Sequence, residues 1–188
     1  MIQISKTILV DVDDVIENLC PCWCHWLNEN YGTNVSAEDI TNWDISKFFP
    51  ELTKEQIFKP LLKEEFWKTV TPKLDAIKYL NLLYEEGYRI FLCTASDYRT
   101  IKPKYENIVQ RYFPYIDWNH IIICSVKQLI KADILIDDGI HNLIGGDYIK
   151  ILYTTPHNKS YDAECNGIFR VNDWEELYNT VHLLTQGS

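Results

Sequence analysis

Short apolar runs alternate along the chain with stretches whose apolar residues recur at helical spacing. Lys6 to Asp11, Arg89 to Cys93, Ile121 to Ile123, Asp133 to Ile136 and Tyr148 to Tyr153 read as strands. Val15 to Asn30 has a helical pattern. Pro72 fits the first turn of a helix running to Glu86, along which Leu74, Ile77, Leu80, Leu83 and Tyr84 recur, and Gly87 ends it. A helix from Pro103 to Tyr112 places Ile108, Val109 and Tyr112 on one side. Another, from Asp173 to about Leu184, is capped by Asn172. Strands alternating with helices predict an α/β fold in three layers around a mostly parallel sheet. The stretch from Glu17 to Thr71 has no strand signal and reads as a small helical cap inserted after the first strand. The expected division is a core of residues 1–16 and 72–188 and a cap of residues 17–71.

The polar residues that end these runs carry the chemistry. Asp11 and Asp13 follow the first strand, Thr94 the second and Asp137-Asp138 the fourth, with Lys127 shortly before that pair. In a parallel sheet, side chains beyond the carboxyl ends of neighbouring strands converge on one crevice. Two acids spaced two apart can face it together, one to attack phosphorus and the other to move protons. Thr94 and the amides after it suit a phosphoryl oxygen. Lys127 supplies a point charge, with Lys131 its rival by spacing. Acids after a buried strand are costly unless solvated, paired or bound to a cation, and an all-oxygen set suits Mg2+. A phosphorelay receiver also uses acids, a threonine and a lysine, but there the lysine comes last.

A formal charge of −9 disfavours a nucleic-acid binder. The amino terminus lacks a signal-peptide pattern and no stretch has the length of a membrane span, so a cytoplasmic protein with six thiols is expected. A homodimer is compatible with the sequence but not indicated by it.

With the runs DVDDVIEN, LCTAS and SVKQLIKADILIDD in place, the chain resembles the haloacid-dehalogenase (HAD) superfamily of phosphatases. Within it, the helical insert, the CTAS turn and the spacing of Lys127 to Asp137-Asp138 resemble the 5′(3′)-deoxyribonucleotidase family. The resemblance implies a Rossmann-like HAD core and a Mg2+-dependent phosphatase acting on nucleoside monophosphates through an aspartyl-phosphate. It implies Asp11 as nucleophile and Asp13 as acid and base. Mg2+ would be held by Asp11, the Asp13 carbonyl and Asp138, with Asp137 beside them. Thr94, the Ala95 amide and Lys127 would bind phosphate. The chain departs from the family pattern at Asp14, where glycine is usual, and at Gly139, where an arginine often lies near the base.

The insert holds Trp23, Trp26, Trp43 and Trp67, four of the six tryptophans, together with Phe48 and Phe49. Such rings either build the cap's own core or stack on a base; Trp43, Phe48 and Phe49 are the expected base or sugar contacts. Cys20, Cys22, Cys24 and His25 make a poor zinc site, because Cys22 points away from the face shared by Cys20 and Cys24. Cys93, Cys124 and Cys165 read as buried fillers, and His141 and His157 as loop residues near the site. Two other readings remain: a phosphatase of another small metabolite, and a non-catalytic nucleotide or phosphate binder disabled by Asp14.

Overall fold

The computed structural model describes residues 6–185. The expectation for the amino terminus, Met1 to Ser5, lies outside the described residues. Six strands form one sheet in the order β3-β2-β1-β4-β5-β6: β1 (Thr7–Val10), β2 (Arg89–Thr94), β3 (Ile121–Ile123), β4 (Ile134–Asp137), β5 (Ile149–Tyr153) and β6 (Phe169–Val171). Every pairing is parallel. The helices are α1 (Leu19–Tyr31), α2 (Lys54–Phe58), α3 (Glu64–Trp67), α4 (Ala76–Glu85), α5 (Tyr98–Lys104), α6 (Gln110–Tyr112), α7 (Ile140–Leu143) and α8 (Trp174–Thr185).

Alternation along the strands divides the core between the two faces of the sheet. Ile8, Val10, Leu92, Ile134, Ile136 and Ile151 share one cluster with residues of α4 and α8. Leu9, Cys93, Leu135 and Leu152 share another with Leu143, Tyr148 and Ile168. Both faces are covered, as a parallel sheet requires, which gives the three layers expected. Between β1 and β4 the strand order reverses, and a crevice opens there beyond the carboxyl ends.

The chain leaves β1 through a turn and enters α1, the first helix of the insert. α1 ends at Gly32, whose φ of 69° closes the helix with a bond to the Asn28 carbonyl. The ends of the insert are tied together: Asn18 N–H donates to the Thr71 carbonyl at 2.9 Å, and Glu17 bridges Pro72. That tie corrects the expected start of α4. Lys73 N–H is committed to the Ile16 carbonyl and Asp75 adopts φ 60°, so the helix begins at Ala76. Leu74 is left outside it, 85% exposed, and the buried face is Ala76, Tyr79, Leu80 and Leu83. Ile77 and Tyr84 face outward.

Three further corrections concern local chemistry. The helix expected from Pro103 starts at Tyr98, because the Asp97 carboxylate caps it through Arg99 N–H at 2.9 Å. It contains Pro103 and widens into a π-helical turn over Tyr105–Val109 before α6. α8 is capped one residue later than expected: Asp173 Oδ1 accepts from Glu176 N–H at 2.8 Å, while Asn172 bonds the Glu176 carboxylate. Of the three cysteines expected inside, Cys93 is buried, Cys124 half-buried and Cys165 exposed. Among the described residues no helix is long and apolar enough to cross a membrane.

Candidate active site

Strand register sets the distances at the crevice. Val10 pairs with Leu92 on one side and Ile136 on the other, so Asp11 emerges beside Asp137. Asp11 N–H donates to the Ile136 carbonyl at 2.9 Å. Carboxylate oxygens of Asp11, Asp137 and Asp138 lie within 4.8 Å of one another, and all three residues are buried. Lys127, on a tight turn after β3, reaches in from below with no solvent exposure. Its ammonium donates to Asp11 Oδ1 and to Asp137 Oδ2, both at 2.6 Å. Lys131, its rival by spacing, is exposed.

Electrostatics follows from this packing. Burial pushes the Asp11 carboxyl up to about 7; Lys127 pulls it down, and Asp137 and Asp13 push it up. For Lys127, burial favours the neutral amine, but Asp11 and Asp137 outweigh it and hold the charge well above the ordinary lysine range. Asp137 is saturated with donors. Its Oδ1 accepts from Gly139 N–H at 2.7 Å and Asn142 Nδ2 at 3.0 Å, and its Oδ2 from Lys127 and Asn142. Gly139 is needed for this closeness, since a Cβ there would lie 2.9 Å from Asn142 Nδ2 and 3.0 Å from Asp137 Oδ1. An arginine at that position would displace the bond that orients Asp137.

Asp138 differs. Its carbonyl is held by Asn158 Nδ2 at 3.0 Å and lies 3.2 Å from His157 Nε2, but its buried Oδ1 has no hydrogen-bond partner. Burial first, then the charges of Asp11 and Asp137, raise its pKa well above the carboxylate range. A buried carboxylate oxygen without a donor costs about 1–3 kcal/mol or more. Three clustered acids with one orphaned oxygen fit a hard divalent cation, which takes oxygen ligands.

Asp13 faces the opposite wall. Lys104, buried on α5, donates to Asp13 Oδ1 at 2.6 Å and Oδ2 at 2.8 Å. It also bonds the Ser96 hydroxyl and approaches Thr94 Oγ1 at 3.4 Å. Burial raises the Asp13 pKa, but Lys104 and neighbouring hydrogen bonds more than offset it, so the net shift is downward. Thr94 and Ser96 hydroxyls lie 2.8 Å apart. Glu17, fully buried, is forced well above the carboxylate range by burial and by Asp13 and Asp14.

Asp14 takes the left-handed conformation, φ 57°, that glycine would supply. Both its carboxylate oxygens accept from Cys20 N–H, at 3.0 and 3.1 Å, and so cap α1 where Asn18 offers no side-chain bond. The residue that breaks the family pattern thus joins the loop after β1 to the first helix of the insert.

Above these groups lies a cavity of about 450 Å3, bounded on the insert side by Trp23, Trp43, Phe58 and Trp67 and on the core side by Asp13, Ala95, Ser96, Lys104 and Asp138. Trp43 lines it, 55% exposed, with its ring edge-on to His141 and His157 at 4.7 and 5.2 Å. The other two aromatic expectations are corrected. Phe49 is 1% exposed in the core cluster that runs from the insert to the sheet, Phe48 packs against that cluster, and neither lines the cavity. A small insert has few side chains with which to fill its interior, and these two are used for that. Lys104, Ser96 and Glu17 join the site without having been among the residues expected there. Ser96 lies within the CTAS turn and was the one within reach.

The model of the family described as "5′ nucleotidase, deoxy (Pyrimidine), cytosolic type C protein" matches residues 5–186. A 5′(3′)-deoxyribonucleotidase of Bacillus subtilis (strain 168) is 32% identical over 178 residues, covering 92% of this chain and 96% of the relative. Among solved structures, a haloacid-dehalogenase-like protein of Agrobacterium tumefaciens superposes with a TM-score of 0.65 at 14% identity, covering 96% of this chain and 99% of the other. A HAD-hydrolase of Bacillus subtilis bound to magnesium gives a TM-score of 0.57 at 16% identity, covering 95% and 99%. At such identities the structures speak for the fold, and the family model and the relative for the lineage: the chain belongs to the cytosolic type C deoxyribonucleotidase family, on a HAD fold.

Proposed function

We propose that this chain hydrolyses deoxyribonucleoside monophosphates to nucleoside and phosphate, with Asp11 as nucleophile and Mg2+ as cofactor. One observation carries the reading: Asp11, Asp137, Asp138 and Lys127 meet in one buried cluster, whose Asp138 lines an aromatic-walled cavity. Family membership supports a deoxyribonucleotide as substrate and a cytosolic protein. In this reading residues 17–71 act as the cap over the core, and Trp43 meets the base or sugar.

Lys127 engages Oδ1 of Asp11, which leaves Oδ2 to attack. An Asp11 oxygen bonds to phosphorus as the bond to the nucleoside oxygen breaks, giving an aspartyl-phosphate. Asp13, held as the carboxylate by Lys104 in the free protein, takes up a proton as substrate enters and gives it to the departing oxygen. It then takes a proton from the water that attacks the same phosphorus, and orthophosphate leaves with Asp11 restored. Two easier displacements replace one difficult one. Thr94 and the Ala95 amide receive phosphoryl oxygens, and Lys127 adds positive charge beneath them. The Asp11 and Asp138 carboxylates and the Asp13 carbonyl would hold Mg2+, with Asp137 beside them. Bound there, the cation would neutralise charge on the phosphoryl oxygens.

The test is phosphate release from a panel of deoxyribonucleotides, ribonucleotides and sugar phosphates, with and without Mg2+. Turnover of deoxyribonucleotides that stops on chelation is expected. Activity confined to sugar phosphates, or none, contradicts the reading.

A further inference from the structure

The two buried lysines of the site have different surroundings. Lys127 is enclosed, does not line the cavity, and gives its ammonium to Asp11 and Asp137. Lys104 does line the cavity, and among the described residues it is the one lysine or arginine that does. Its ammonium lies beside the Ser96 and Thr94 hydroxyls, on the wall where phosphoryl oxygens would arrive. The face of Trp67 lies 5.1 Å from Nζ and steadies the head group. Lys104 is 3% exposed, yet its carboxylate partner Asp13 has a side chain 30% exposed, on the cavity side. An incoming anion can therefore displace a partner that water already solvates. The equivalent exchange at Lys127 would strip a counter-ion from two buried acids.

We propose that Lys104 is the cation that receives the phosphoryl group, exchanging its pairing with Asp13 for a phosphoryl oxygen while keeping the Ser96 hydroxyl. This rests on the phosphomonoesterase reading and adds a substrate contact to it. The exchange delivers a positive charge to the phosphate and frees Asp13 to take up a proton and turn toward the nucleoside oxygen. Lys127 remains the permanent counter-charge of the acids.

The probe is inorganic phosphate, titrated calorimetrically into the Mg2+-loaded protein, so that the readout is binding and not turnover. Lys104→Gln is expected to weaken phosphate binding roughly 10- to 100-fold, the loss of one charged hydrogen bond, and Lys104→Arg, which keeps the charge, to weaken it less. Lys104→Gln binding phosphate as tightly as wild type overturns the proposal. A second measurement needs no glutamine variant: in 15N-lysine spectra of the wild type, the Lys104 ammonium resonance, assigned through the Lys104→Arg protein, should shift as phosphate saturates. A resonance that stays still while phosphate binds also overturns it. Failure of the nucleotidase reading would show separately, as phosphate binding without nucleotide turnover.

Discussion

Lys127 Nζ and Asp137 Oδ2 meet at 2.6 Å, and neither side chain reaches solvent. A buried pair of this kind is expensive to form and more expensive to break, because the survivor keeps its charge without a partner. Here the survivors would be two carboxylates, Asp11 and Asp137. Lys127→Met is therefore expected to lower stability by about 3–5 kcal/mol in urea unfolding without added Mg2+, and to abolish turnover. A variant as stable as wild type would show that the acids find compensation elsewhere.

Trp43 and Phe49 lie six residues apart and should respond in opposite ways. Trp43 forms part of the cavity wall, so Trp43→Ala should raise KM for a nucleotide with little change in unfolding midpoint. Phe49 is packed inside the insert, and Phe49→Ala should cost about 3–5 kcal/mol of stability. Steady-state kinetics beside thermal unfolding separates them. A large KM effect confined to Phe49→Ala would place the base elsewhere.

Asp14 carries two loads, a left-handed backbone and the cap of α1. Asp14→Gly keeps the first and drops the second, so a loss of about 1 kcal/mol is expected. Asp14→Ala drops the cap and keeps a Cβ in the left-handed region, so it should lie about 1–2 kcal/mol below the glycine variant. Chemical denaturation of the two variants should rank alanine below glycine; equal values would remove the backbone argument.

Asp97 supplies an acid-dependent contribution that bears on Lys104, since it caps the helix carrying that lysine. Hydrogen bonds from the Arg99 side chain and N–H hold its carboxyl down, to about 2 from 3.8. A depressed carboxylate stabilises fully above its unfolded value and loses that contribution as pH falls through its folded one. Stability from this group should thus be present above pH 3.8 and fade toward pH about 2. Asp97→Asn should lose less stability than wild type over that interval. Parallel urea titrations of the two proteins check this; identical losses would contradict it.

The acids at the strand ends were legible because a buried run followed by aspartates has few inexpensive explanations. Lys104 was not. It stands in Lys102-Pro103-Lys104 at the start of the expected helix, where a charged side chain reads as solvated, and only the fold turns it inward onto Asp13. β6 escaped notice because it is three residues long with Arg170 at its centre. That arginine bonds the carbonyls of Asn158 and Tyr161, a tertiary arrangement no local pattern announces. Leu74 shows the reverse error: its spacing fitted a helical stripe, but the tie between Glu17 and Pro72 postponed the helix past it. Periodicity located the elements, and long-range pairing decided where they began.

The nucleophile can be observed directly. Single turnover of a 32P-labelled deoxyribonucleoside monophosphate, quenched in acid and digested, should leave label on the peptide containing Asp11, and none in Asp11→Asn, which should also fail to turn over. Product formation by Asp11→Asn at the wild-type rate, with no labelled peptide in either protein, would contradict the account.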